Sequence, residues 1–427
     1  MFMDRLLVRN ARYVIDVDPA PVVRPATDVL VEDGVIAAVG RDLSADAQVL
    51  DATDRIVLPG FVDTHRHTWQ AALRASTVDV DLFGYLDRAH AAGARFTPDE
   101  MRASVLAGAL EAIDSGITTL QDFSHALYTP DHADATIDAL RAAGLRAVFG
   151  YGAPFRAQSR DLEDVRRVRA EHFSTDEQLV TMAYAPLGPS YSDAEAVRED
   201  WLLARELGVP ITTHVGAGPV AQRPIAALRE AGLLTPGTLY VHGNSLPDDE
   251  LRFIADSGGA VAITPAVEAQ MGHGAPMLGR LAAAGVTTGL GVDVVTAVAG
   301  DMFSLMRAAL LSAYLGAGRR PTVADILYTA TLGGATALGL QDRIGSLTIG
   351  KQADLILIDA AAVNTAPVDH DPVAAVVTSA HPGNVDTVVV AGRVVKHRGR
   401  LLNSSRHRRL SGVAGVAGPG AGVGGSQ

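Results

Sequence analysis

The 427-residue chain contains no cysteine, which excludes disulfides, thiolate metal sites and a cysteine nucleophile together. Lysine is almost as scarce, with Lys351 and Lys396 the only two. Aromatic residues make up 5% of the chain, and no apolar run reaches the ~18 residues that a membrane span needs. Positive charge is in deficit, the net charge being −12, so a nucleic-acid or anionic-membrane partner is not expected. The first residues, MFMDRLLVRNARYVIDVD, alternate like a strand and lack the apolar core of a signal peptide. A soluble cytoplasmic protein is expected, with a homo-oligomer left open.

What is present in quantity is small and apolar. Hydrophobic residues make up 48% of the chain and glycine occurs 43 times, a composition suited to many short, tightly packed α/β units. The length allows one large domain and a smaller one.

From residue 56 onward one unit repeats: apolar strand, polar loop, amphipathic helix. Eight strands are predicted, at Ile56–Val62, Ile117–Gln121, Arg146–Tyr151, Leu179–Tyr184, Ile211–His214, Thr238–His242, Ala260–Thr264 and Val286–Asp293. The first helix opens on Thr97-Pro98-Asp99-Glu100, a capping box with proline at the first helical position, and closes near Gly116. Further helices read over 131–143, 193–207, 247–256 and 301–315. Non-alternating, β-branched strands separated by helices indicate a parallel sheet covered on its faces. Eight such units indicate an α/β fold of the (β/α)8 TIM-barrel type.

The flanks differ. Residues 4–58 and 345–402 read as short alternating strands, with turns at Glu32-Asp33-Gly34 and Asp51-Ala52-Thr53-Asp54 and strands at 354–359 and 386–396. They are expected to pair into one small β-sandwich built from both chain ends. The division is therefore 1–58 and 345–402 for the sandwich, 59–344 for the barrel, and a low-complexity, disordered tail over 403–427.

Barrel active sites lie at the C-terminal ends of the strands, so the polar residue ending each strand is informative. The first gives His65 and His67, which alternation puts on one side. The second gives Asp122 and His125, the fourth Tyr184, the fifth His214 and the sixth His242. The seventh leads to Glu268 and His273, and the eighth ends at Asp293. A single such histidine is usually structural; metal-compatible side chains on five strand ends of one rim point to a metal site.

The motifs PGFVDTHRH, ITTH, YVHGN, GLGVD and GSLTIGKQADLILID, in this order, resemble the amidohydrolase superfamily on its cytosine-deaminase-like and triazine-hydrolase branch. The resemblance implies that His65, His67, His214 and Asp293 bind a divalent metal, with zinc first and iron second. It implies that His242 orients or polarises the substrate and the attacking water, while Asp293 also moves protons. Binuclear members bridge two metals with a carboxylated barrel lysine. Both lysines here lie beyond the barrel, so a single metal is expected.

Ring deaminases of this branch carry His-x-x-Glu after the fifth strand, the glutamate protonating a ring nitrogen. Here the segment is His214-Val215-Gly216-Ala217. Glu268 and His125 are the candidate replacements. Trp69, Gln70, His125 and His273 are candidate substrate contacts, and residues 80–96 a candidate lid. His90, His132, His172, His370, His381, His397 and His407 fall in helices, flanks or tail and are expected mostly at the surface.

The reading that follows is a mononuclear metal hydrolase of a C–N bond in an amide, cyclic amide or amidine. Its partner is a small-molecule or modified-peptide substrate. Three alternatives stand beside it: a nucleobase or triazine deaminase with a replacement proton donor, a peptide-trimming amidohydrolase acting on a modified peptide of thiazoline type, and a non-catalytic barrel scaffold.

Overall fold

The computed structural model describes residues 5–154, 160–217 and 222–402. Eight parallel strands form the barrel wall: Phe61–Arg66, Ile117–Ser124, Arg146–Gly152, Val180–Ala185, Thr212–Val215, Leu239–His242, Ala260–Ile263 and Thr287–Leu290. The first four make one parallel sheet and the last four another, each strand beside its neighbour in sequence. Single parallel bridges, Tyr184 to Ile211 and Arg66 to Asp293, connect the two halves at both seams. Phe61–Arg66, Ile117–Ser124 and Arg146–Gly152 are buried at every position, because helices cover one face and the barrel interior the other. This is why burial does not alternate along these strands.

The helices start where local chemistry lets them. Glu100 N donates to Thr97 Oγ1 at 3.3 Å and Thr97 N to Glu100 Oε2 at 2.8 Å, so the helix Pro98–Asp114 begins with two otherwise orphaned donors satisfied. The helix Pro130–Ala143 ends on Gly144 and Ala194–Leu207 on Gly208, both at positive φ.

The apolar run 56–62 is not one strand. It divides at Gly60, where Arg55–Pro59 leaves one sheet and Phe61–Arg66 enters another. The backbone there passes so close to the second barrel strand that a Cβ on Gly60 would lie 2.1 Å from Thr118 Oγ1. The run 386–396 likewise divides, into Val385–Val390 and Arg393–His397, about a turn with Ala391 and Gly392 at positive φ.

Strands from both chain ends join one nine-stranded sheet, in which Arg55–Pro59 pairs antiparallel with Leu355–Asp359. Alternation sorts their side chains into two cores. Val57, Leu355 and Leu357 pack with Leu6, Val8, Val29 and Val31 into a small core of the sheet itself. Ile56, Leu58, Ile356 and Ile358 point the other way, into the main core with the barrel helices. The expected tail, 403–427, lies outside the described residues. Among the described residues no helix is long and apolar enough to cross a membrane.

Candidate active site

His65 and His67 emerge at the end of the first barrel strand and point into the barrel, while Arg66 between them turns out. The Arg66 guanidinium is buried between Asp63 at 3.3 Å, Glu111 at 2.8 Å and the carbonyl of Gly300 at 3.2 Å. Asp293 is tied to the same segment through the backbone: its N–H donates to the His65 carbonyl at 2.8 Å, and the His67 N–H donates to the Asp293 carbonyl at 3.0 Å. The seam between first and eighth strands is therefore what brings the carboxylate to the histidines. Asp293 (φ 65°) and His242 (φ 74°) both take left-handed backbone conformations, which L-residues adopt at a cost and which cluster at functional sites.

The side chains converge. Ring centroids of His65 lie 4.8 Å from His67 and 4.9 Å from His214. Asp293 Oδ1 is 3.4 Å from Nε2 of both His65 and His67. Tetrahedral ligands with bonds of 2.0–2.1 Å stand about 3.4 Å apart, so these spacings suit one small divalent ion. Neither ring nitrogen of His65 makes a hydrogen bond although the residue is fully buried, an arrangement that costs free energy unless something else meets those lone pairs. The Nδ1–H of His67 donates to the Phe123 carbonyl at 3.0 Å, leaving Nε2 as the free acceptor at the centre.

The electrostatics agree with a neutral-imidazole ligand set. Burial, followed by the neighbouring imidazoles, holds His67 and His214 well below the ordinary histidine range. Burial would raise the Asp293 carboxyl, but the close His65 imidazole and the nearby His242 and His273 outweigh it, bringing it down to about 2. Asp293 is thus ionised at neutral pH, and ligand atoms close enough to hold a cation come from two triads that share His65: His65, His67 and His214, and His65, His242 and Asp293. Lys351 and Lys396 pair with Asp18 and Asp114, away from the site, which leaves no lysine to bridge a second metal.

Above this centre is a cavity open to the barrel mouth. Its polar wall includes His125, Tyr191, His242, His273 and Asp293, and its apolar wall includes Leu82, Leu86, Phe123, Leu187 and Met271. His125 stands 4.3 Å from His67, ring to ring, and burial holds it down to about 4. His273 packs edge-on against His242 at 4.6 Å, with both ring nitrogens unpartnered; burial and then His242 hold it at about 3. Ala217 also lines the cavity.

Other expected site residues are placed differently. Glu268 does not face the cavity; it is buried behind His242, with Oε1 3.5 Å from His242 Nδ1 and accepting from the Thr264 N–H at 2.7 Å. The helix Pro265–Met271 turns its carboxylate back toward the strand end, so it can act on substrate only through His242. Trp69 and Gln70 stand one layer behind the wall. The Trp69 ring packs against His125 and Phe96, and Gln70 Nε2 donates to the Tyr85 hydroxyl at 2.7 Å. Asp122 accepts from the Thr68 N–H at 3.1 Å and so fixes the loop after His67, while Tyr184 turns away to Asp200 at 2.7 Å. His132, expected at the surface, is buried and bonded to Thr129 and the Phe96 carbonyl.

Tyr85 was not legible as a site residue. It comes from the helix Leu82–Gly93 within the expected lid. The signal was the stripe Leu82, Tyr85, Leu86 and Ala89, whose helical spacing turns one face to the barrel mouth.

Residues 56–395 match the amidohydrolase family. The chain belongs to that family. It is 32% identical over 417 residues, 92% of this chain and 94% of the relative, to a 5-methylthioadenosine/S-adenosylhomocysteine deaminase of Symbiobacterium thermophilum. A 5'-deoxyadenosine deaminase of Methanothermobacter thermautotrophicus is 30% identical over 393 residues, covering 87% of this chain and 90% of the relative. Among solved structures, a zinc-bound adenosine deaminase from Xanthomonas campestris superposes with a TM-score of 0.87 at 27% identity, covering 96% of this chain and 99% of that one. A zinc complex of an atrazine chlorohydrolase from Arthrobacter aurescens shares the fold at TM-score 0.87 and 24% identity, covering 96% of this chain and 99% of its own. This amidohydrolase is accordingly a metal-dependent hydrolase of carbon–nitrogen bonds.

Proposed function

We propose that this amidohydrolase releases ammonia from a small, neutral, amino-substituted heteroaromatic substrate, attacking the amidine-type carbon that bears the amine. One divalent metal, zinc in the first instance, would be held by His65, His67, His214 and Asp293. The observation that carries this reading is the convergence of three imidazoles and one ionised carboxylate on the floor of a cavity whose described lining holds no other carboxylate. No lysine or arginine lines the cavity among the described residues, so a phosphate or carboxylate on the substrate would meet no counter-charge from these. Relatives that act on 5'-modified adenosines support the amidine-type carbon.

When bound, the metal supplies a Lewis acid that brings the pKa of a water toward about 7. Asp293, ionised and beside that position, accepts the proton of the attacking water and returns it to the departing nitrogen. His242 presents Nε2 to the cavity, 3.9 Å from Asp293 Oδ2, where it can bond the substrate as the tetrahedral carbon forms. Thr264 ties these two residues together, its hydroxyl lying 3.2 Å from His242 Nδ1 and 3.3 Å from Asp293 Oδ2. Leu82, Leu86, Phe123 and Met271 keep bulk water from the reacting carbon and offer apolar surface to the rest of the substrate.

The test is ammonia release from a panel of 5'-methylthioadenosine, S-adenosylhomocysteine, adenosine, guanine, cytosine, aminotriazines, and simple amides, lactams and thiazolines. Release from at least one amino-heterocycle is expected, and its loss on chelation. Turnover confined to amides, lactams or thiazolines would overturn the substrate class. No turnover with metal fully bound would return the chain to a non-catalytic barrel.

A further inference from the structure

Attack on an amidine-type carbon moves an electron pair onto the adjacent ring nitrogen. A donor must meet that nitrogen, and Ala217 on the cavity wall offers none. Asp293 is the one carboxylate on the wall among the described residues, and it is occupied with water and leaving group. The wall carries another donor, on the lid.

Tyr85 is buried, lines the cavity, and wedges its ring among Ala89, Val267, Met271 and Val294. Its hydroxyl oxygen accepts from Gln70 Nε2 at 2.7 Å. Gln70 is itself fully buried, and its N–H donates to the His67 carbonyl at 3.0 Å, so the amide is anchored to the segment carrying the histidine pair. With its oxygen lone pair engaged by Gln70, the phenolic hydrogen of Tyr85 has no acceptor among the described residues. Burial first, and the Asp293 charge next, raise the phenol above its ordinary value, so it keeps its proton and has a hydrogen to donate. The lid helix is pinned in place, since Gln270 Nε2 lies 3.3 Å from the Val80 carbonyl on the approach to it.

We propose that the Tyr85 hydroxyl, oriented by Gln70, donates a hydrogen bond to the substrate ring nitrogen that gains electron density as water adds. No proton changes hands in this step; the bond strengthens as charge develops, as in an oxyanion hole. Tyr85 is then a catalytic residue and Gln70 a positioning residue. This rests on the amino-heterocycle reading above.

The experiment uses Tyr85→Phe, which keeps the ring and its packing, and Gln70→Glu, which replaces the amide donor with a carboxylate that would take the phenolic hydrogen. Each is expected to lower kcat on the best amino-heterocycle about 10²-fold, the scale of losing one such donor, with metal content unchanged in a variant that remains folded. The double variant is expected to be no worse than Tyr85→Phe, because both remove the same bond. A second readout needs no turnover: the metal-depleted wild type should bind 5'-methylthioadenosine about 10-fold more tightly than its 1-deaza analogue, and Tyr85→Phe should bind the two equally. Full kcat in Tyr85→Phe, or an undiminished preference over the deaza analogue, overturns the assignment while the deaminase reading stands. A wild type that neither binds nor turns over any amino-heterocycle removes the reading itself, and this inference with it.

Discussion

Glu268 carries its charge one residue away from the cavity. Its Oε1 is 3.5 Å from His242 Nδ1, and its Oε2 accepts from Asn244 Nδ2 at 3.3 Å. A carboxylate in this position makes Nδ1 of His242 the protonated nitrogen and steadies the ring. Glu268→Gln preserves an acceptor for the Thr264 N–H but removes the charge. It is expected to lower kcat about 10- to 100-fold, the scale for a lost outer partner of a site histidine, without changing metal content. An unchanged kcat across pH would contradict that role. The sequence made Glu268 a candidate because it follows the seventh strand. Which way its helix turns it depends on a hydrogen bond to Thr264, four residues back, that no spacing discloses. Gln70 illustrates the same limit: it adjoins the histidine pair in sequence yet reaches the cavity only through Tyr85.

At the scale of elements, the helices were legible from their ends. The Thr97/Glu100 box marks a start that the structure repeats, and the helices expected over 131–143 and 193–207 stop at Ala143 and Leu207, each followed by a glycine at positive φ. Strand ends were legible because the wall is buried on both faces. The boundary between sheets was not, since Ile56–Val62 is uniformly apolar and only Gly60 hints at a change of partner. That glycine gives a direct test. A methyl at Gly60 would have to displace Thr118, whose Oγ1 and Cγ2 lie 2.1 and 2.3 Å from the ideal Cβ. Gly60→Ala is therefore expected to cost about 1–3 kcal/mol by overpacking, read as a lower denaturant midpoint. No change in midpoint would mean that the two sheets are less tightly joined than the structure has them.

At the scale of the whole molecule, the fold was legible because the repeat is long and its units similar, and because the metal-compatible residues fall at one end of that repeat. The site draws on strands one, five, six and eight, which only a closed ring of strands brings within bonding distance. The cavity chemistry was less legible. Walls without lysine or arginine among the described residues, an alanine at position 217 and a tyrosine from the helix Leu82–Gly93 are contributed by separate segments, and no one stretch of sequence contains them. Catalysis here depends first on the ligand set. Elemental analysis of the purified protein and of His214→Ala tests it most directly. It should find close to one divalent ion per chain in the wild type, and little metal with at least a 10²-fold loss of ammonia release in a variant that remains folded. Full metal content and full activity in His214→Ala would contradict it.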